Sequence, residues 1–100
     1  MGTSILPMAA LAEGESTMVR VGGEQILVSC VYGQYYAVGG VCTHAAQSLA
    51  TGRLKEYEVI CPLHGARFDV RTGACTKGPA VNGLKHFPVY LEGGKVCLDI

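Results

Sequence analysis

Two short segments hold the residues most able to do chemistry: Cys42-Thr43-His44 and, after sixteen intervening residues, Cys61-Pro62-Leu63-His64. Each offers one thiolate and one imidazole, so the chain presents a balanced set of soft and borderline metal ligands on two loops. Two metal chemistries suit that set. In a mixed-ligand [2Fe-2S] centre two thiolates hold one iron and two imidazoles the other, and one Cys plus one His per loop makes each loop span the cluster. A single tetrahedral Zn²⁺ in a Cys₂His₂ site uses the same donors. Structural zinc sites, however, usually gather both cysteines in one knuckle and both histidines in another. Here the order is Cys, His, Cys, His with a one-residue gap in the first pair. That order favours iron and sulfide, with a colourless zinc-stabilised interaction module as the alternative.

The ligand types also set the redox range. With two ferric irons, two sulfides and only two thiolates, the oxidised centre is neutral, where an all-cysteine centre carries two negative charges. An electron enters a neutral site more easily. Centres of the mixed kind span roughly −150 to +300 mV, against about −400 mV for plant-type ferredoxins.

The elements that must position these loops read as β. Ser16 to Val21, Glu24 to Tyr32, Tyr35 to Val38, His86 to Leu91 and Lys95 to Asp99 are rich in β-branched and aromatic residues, and Gly22-Gly23, Gly33-Gln34 and Gly93-Gly94 supply turns between them. Pro7 to Ala12 reads as at most a helical turn. The insertion from Cys42 to Ile60 and the loop and strand from Cys61 to Asp69 form a subdomain that holds the metal. The expected architecture is all-β: an antiparallel sandwich with a small cluster-binding subdomain at about 41–80, within a single domain over 1–100.

The stretch from Val41 to Ala80, with Cys42-Thr43-His44, Leu49, Gly52, Cys61-Pro62-Leu63-His64-Gly65, Phe68-Asp69, Thr72-Gly73 and Gly78-Pro79-Ala80, resembles the Rieske iron–sulfur domain. The flanking β segments extend the resemblance over essentially the whole chain. Within that superfamily the chain looks most like the small Rieske-type ferredoxins of bacterial aromatic-ring-hydroxylating dioxygenase systems. The resemblance implies one Rieske-type [2Fe-2S] cluster held by Cys42, His44, Cys61 and His64. It also implies a soluble monomeric carrier that takes single electrons from a flavoprotein ferredoxin reductase and delivers them to a terminal oxygenase. A small Rieske-like subunit of an assimilatory nitrite reductase is the runner-up; many such subunits lack some ligands, and all four are present here. One hundred residues leave no room for a mononuclear iron oxygenase domain, so the chain is expected to be a carrier and not the enzyme.

Departures from the membrane-bound, high-potential Rieske subunits carry physical meaning. Those subunits add a cysteine to each cluster loop and join the two in a disulfide; the matching positions here are Gln47 and Leu63. They also place a Ser and a Tyr where this chain has Ala66 and Phe68. Hydroxyls donating to cluster sulfur stabilise the more negative, reduced state, so losing both is expected to put the potential at the low end of the range. In the family the histidine edges are exposed. His44 and His64, ringed by Ala45, Ala46, Gln47, Leu63 and Pro79, would form a small uncharged docking tip suited to brief encounters. A ligating imidazole keeps a second ring nitrogen whose proton is held more tightly once the iron is reduced, and at low potential that coupling is expected only at alkaline pH. Pro62 stiffens the second loop, Gly65 is expected to bring its amide toward a sulfur, and Gly78-Pro79-Ala80 matches the loop that covers the cluster.

The remaining chemistry-bearing residues read as structural. Cys30 and Cys97 lie in apolar β-like runs and are expected in the core, while Cys75 follows the Arg71-Thr72-Gly73 turn and is expected to be more exposed. His86 beside Phe87-Pro88 reads as a structural or surface histidine. Eight bases and eight acids give zero formal net charge and no footprint for nucleic acid. The first half carries one base and three acids, net −2, and the second seven bases and five acids, net +2, too mild an asymmetry to define a partner from the sequence. Ile5 to Ala12 is short, is interrupted by Pro7, lacks a basic flank and runs into Glu13-Gly14-Glu15, so neither a membrane anchor nor an export signal is expected and the compartment is the cytoplasm. Leu6 stands where a myristoylation signal needs Ser or Thr.

Overall fold

The computed structural model describes residues 2–43, 47–62, 65–78 and 82–99. Among the described residues eleven strands form three antiparallel sheets. The longest, β3 (Glu24–Val31), lies between β2 (Ser16–Val21) and β4 (Gln34–Gly39), and β9 (His86–Phe87) completes that sheet in the order β2-β3-β4-β9. A second sheet pairs β1 (Thr3–Pro7), β11 (Lys95–Leu98) and β10 (Val89–Glu92) in the order β1-β11-β10. The third is a meander of β5 (Arg53–Lys55), β6 (Glu58–Ile60), β7 (Arg67–Asp69) and β8 (Cys75–Lys77). The only helical element among the described residues is one 3₁₀ turn, Met8–Ala10.

The run Ile26-Leu27-Val28-Ser29-Cys30-Val31 is buried throughout, because β3 is covered on both faces. Side chains alternate across a strand. Ile26, Val28 and Cys30 pack with Leu11, Val96 and Leu98, while Leu27 and Val31 pack with Leu49, Val59 and Phe68. The central sheet therefore carries one core on each side, and the second contains Cys42 and Cys61. Ser29, the buried polar residue of β3, is paired with Ser16 through their hydroxyls at 2.8 Å.

Three strand expectations need correction. His86 to Leu91 is not one strand: Pro88 has no N–H to continue a ladder, so β9 pairs with β4 on one side of it and β10 pairs with β11 on the other. The β3–β4 turn is Tyr32-Gly33, with φ of 51° and 75°, and not Gly33-Gln34. Glu13 holds it, its carboxylate accepting from the amides of Tyr32 at 2.5 Å and Gly33 at 2.8 Å. Thr3–Pro7 is a strand that its own sequence does not announce; it exists through its pairing with β11.

Aromatic contacts join the third sheet to the central one. Tyr57, in the β5–β6 turn, meets the rings of Tyr32 and Tyr36 edge-on at 5.5 and 6.1 Å, and the Arg71 guanidinium lies 4.0 Å from the centre of the Tyr57 ring. This contact holds the end of the meander opposite the Cys61 loop.

Candidate metal centre

Cys42 and Cys61 sit at the bases of two loops built alike. In the first, Val41 bridges Ser48, Leu49 donates its amide to the Gly40 carbonyl at 2.8 Å, and the Cys42 amide donates to the Gln47 carbonyl at 2.7 Å. In the second, Ile60 pairs with Arg67 across β6 and β7, and the Cys61 amide donates to the Ala66 carbonyl at 2.8 Å. Each cysteine thus follows the last paired residue of a hairpin and closes a loop ending five residues later. His44 and His64 fall by sequence inside these two loops and lie outside the described residues, as do Ala45, Ala46 and Leu63.

The two thiols are buried, at 1% and 2% exposure, and neither is in a disulfide. Buried unbridged thiols at the base of matched hairpin loops suit a metal group better than a structural cross-link. Among the described residues no three His, Cys, Asp or Glu side chains come together as a metal site; with His44 and His64, which sequence places in the same two loops, the donors would be two thiolates and two imidazoles. The donor set therefore fits a [2Fe-2S] group.

The surroundings are apolar. Leu49, Val59, Ala66, Phe68 and Val70 are fully buried in the same core. Neither Ala66 nor Phe68 has a side-chain donor. Gly65 has φ of +76°, the left-handed conformation its type permits, and its amide donates to the Cys61 carbonyl at 3.1 Å. Closing the tight turn on the backbone is the local reason.

A third segment is fixed at its described flanks. Gly78 follows β8, residues 79–81 lie outside the described set, and on the far side the Thr43 hydroxyl donates to the Asn82 carbonyl at 2.7 Å. The Leu84 amide then donates to the Gly73 carbonyl at 2.7 Å. Gly73, with φ of +85°, comes so close to Leu84 that a Cβ there would lie 2.2 Å from the Leu84 carbonyl oxygen. Sequence reading missed the Thr43 bond, because nothing in Thr43 itself shows what its hydroxyl faces.

The other cysteines and the third histidine are where the sequence puts them. Cys30 and Cys97 are buried and Cys75 is partly exposed. Burial, with Glu13 nearby, pushes the Cys30 thiol above its ordinary pKa and keeps it protonated. His86 is exposed on β9, opposite Val38.

On the outer face of the meander, Glu58 accepts from the Thr76 hydroxyl at 2.5 Å and from Arg67 at 3.3 Å. Those contacts, the Thr76 bond foremost, hold its carboxyl below the usual range despite partial burial. Asp69 is lowered in the same way, chiefly by the two hydrogen bonds from the Arg71 guanidinium at 2.8 and 3.1 Å.

With this geometry in hand, the class is defined: the Rieske [2Fe-2S] domain family matches residues 3–88, and the chain belongs to it. It carries one Rieske-type [2Fe-2S] cluster and is an electron carrier rather than an enzyme in its own right. Its relatives are narrower in kind. It is 41% identical over 98 residues to the ferredoxin component of biphenyl 2,3-dioxygenase from Rhodococcus jostii (strain RHA1), covering 98% of this chain and 92% of that protein. It is 38% identical over 90 residues to the ferredoxin component of the naphthalene 1,2-dioxygenase system of Pseudomonas aeruginosa, covering 90% and 86%. A solved complex of reduced oxygenase and oxidised ferredoxin in carbazole 1,9a-dioxygenase contains a chain that superposes with a TM-score of 0.91 at 32% identity, covering 97% of this chain and 91% of that one.

Proposed function

We propose that this chain is a low-potential Rieske ferredoxin that passes single electrons from an NAD(P)H-dependent flavoprotein reductase to a terminal Rieske non-haem iron aromatic-ring dioxygenase. The observation that carries the reading is the pair of matched hairpin loops, each presenting one buried unbridged cysteine at its base. The naming of its relatives as ferredoxin components supports the same role. Cys42, His44, Cys61 and His64 are the ligands, in a single Rieske domain whose cluster subdomain spans about 41–80. The cluster supplies reversible one-electron storage. The protein's own part is to bind it through two buried thiolates and two imidazoles, to exclude water on the side of Leu49, Val59 and Phe68, and to fix both loops through their cysteine amides.

The low potential follows from what the loops lack: Ala66 and Phe68 stand where hydroxyl donors would favour the reduced state. The carrier works as a cytoplasmic monomer. No helix among the described residues is long and apolar enough to cross a membrane. The tip that meets partners comprises Ala45, Ala46, Gln47, Leu63 and Pro79, of which Gln47 is half-buried and the others lie outside the described residues.

The test is a reconstituted electron transfer. NAD(P)H with a flavoprotein ferredoxin reductase should bleach the protein, and a terminal dioxygenase should restore its colour in one turnover. Failure to pass electrons onward, with normal reduction by the reductase, would remove the dioxygenase role. Gln47→Glu should slow delivery to the oxygenase without moving the potential much, and an unchanged delivery rate would show the docking tip to be misplaced.

A further inference from the structure

The meander β5-β6-β7-β8 is electrically polarised along its strands. Because neighbours run antiparallel, the first residues of β5 and β7 and the last residues of β6 and β8 share the end of the sheet that bears the Cys61 loop. Those residues are Arg53, Arg67, Ile60 and Lys77. They stand in one row, Arg53 opposite Ile60, Ile60 opposite Arg67, and Arg67 opposite Lys77. The alternate positions Val59 and Phe68 are buried, so the row is on the outer face. Every charge in it is positive. The next row away holds Lys55, Glu58 and Asp69, with Glu58 opposite both of the others, and is net negative by one charge.

The row is only partly neutralised among the described residues. Among the described residues the ion pairs are Glu58 with Arg67, Asp69 with Arg71, and Glu24 with Lys85, which leaves Arg53 and Lys77 unpaired. Arg67 meets Glu58 through Nη1 at 3.3 Å, and its buried Nε has no hydrogen-bond partner. Like charges directly opposed across a ladder destabilise a sheet, and Arg67 opposes Lys77. Neighbouring strands are about 5 Å apart, so Arg53 and Lys77, three strands apart, are roughly 15 Å from each other and add to one field only at low ionic strength, where the Debye length is about 30 Å at 0.01 M. Arg67 gains its pair with Glu58, but Arg53 and Lys77 gain no ion pair among the described residues, and unpaired charges gathered at one sheet end fit a functional surface.

We infer that Arg53, Arg67 and Lys77 form a cationic rim that docks an acidic surface of the terminal oxygenase beside the Cys61 loop. This rests on the proposed electron-carrier function and adds to it the charge of the partner and the side from which it approaches. The uncharged tip makes the close contact, and the rim steers and orients the encounter, as charges at the edge of an interface do through the association rate.

The experiment follows the dithionite-reduced holoprotein as it reduces the terminal oxygenase of the biphenyl 2,3-dioxygenase system, at rising ionic strength. Wild type, Arg53→Gln/Lys77→Gln and Arg53→Glu/Lys77→Glu are compared by stopped flow. The wild-type bimolecular rate should fall as salt rises. The charge-reversed variant should be about tenfold slower at low salt. All three should converge at high salt, which separates steering from any change in cluster potential. Equal rates at low salt, or a wild-type rate indifferent to salt, would overturn the inference while leaving the carrier function intact. A wild type that cannot reduce the oxygenase at any salt concentration would overturn the proposed function, and the inference with it.

Discussion

The central sheet is covered on both faces, and the two coverings are made differently. On one face, strands β1, β10 and β11 close an apolar core around Ile26, Val28, Cys30, Val96 and Leu98. Ordinary hydrophobic burial is enough to hold it. On the other face, four strands of three residues each enclose a core that includes Cys42 and Cys61. Strands that short form few ladder bonds of their own. That half is held by the Tyr57 aromatic contacts at one end and, on the proposed assignment, would be completed by metal ligation at the other. On the proposed ligand assignment, one half of the molecule is expected to fold by burial alone and the other to couple folding to its cofactor.

The largest effect expected from this contrast comes from Cys61→Ser. The visible colour of the cluster should be lost, and amide exchange should rise throughout β5–β8 while β3 and β11 keep their protection. Uniform loss of protection would mean that the two halves are one cooperative unit.

Core truncations sharpen the comparison. Phe68→Ala, at a fully buried site, should cost about 3–5 kcal/mol, and Ile26→Ala on the opposite core about 2–5 kcal/mol. The difference lies in the cluster: only Phe68→Ala should greatly speed its release under mildly destabilising conditions, followed by loss of absorbance. Equal release from the two variants would deny that the cores have separate roles.

Tyr57→Ala comes next. It removes two edge-on ring contacts, each worth about 0.5–1.5 kcal/mol, and the Arg71 contact, worth about 0.5–1 kcal/mol, for a loss of roughly 1.5–4 kcal/mol in a denaturant titration.

The smallest effect is that of acid. Glu58 and Asp69 have folded pKa values below their unfolded ones, so their stabilisation is present above an unfolded value of about 4 and is lost as pH falls through the folded values. Wild type should therefore lose more stability below about pH 4 than Asp69→Asn, as read from the difference between their unfolding midpoints. Identical acid profiles would leave these pairs without a stabilising role.

The two halves were not equally legible in the sequence. The burial half announces itself through long apolar runs and glycine turns: Ser16–Val21 lies where its β-branched residues place it, and β3 ends one residue short of its expected bound. The metal half was legible in its chemistry and not in its scaffold. Cysteine and histidine spacing, with the family resemblance, pointed to the cluster and to the ligands proposed for it, whereas strands of three residues leave too little periodicity to read. What stayed hidden depends on pairing register. Nothing in the separate positions of Arg53, Arg67 and Lys77 shows that they share one row, and nothing in Gly73 shows that Leu84 lies against it.

The central claim is that Cys42, His44, Cys61 and His64 hold a low-potential Rieske cluster. Its most direct test is a redox titration of anaerobically purified protein, followed by electron paramagnetic resonance at neutral and alkaline pH. The expected result is a rhombic signal with an average g below that of an all-cysteine cluster, appearing only at the low end of the Rieske range and insensitive to pH near neutrality. A high, strongly pH-dependent potential would contradict the low-potential assignment, and a colourless protein of full metal content with no signal would contradict the cluster itself.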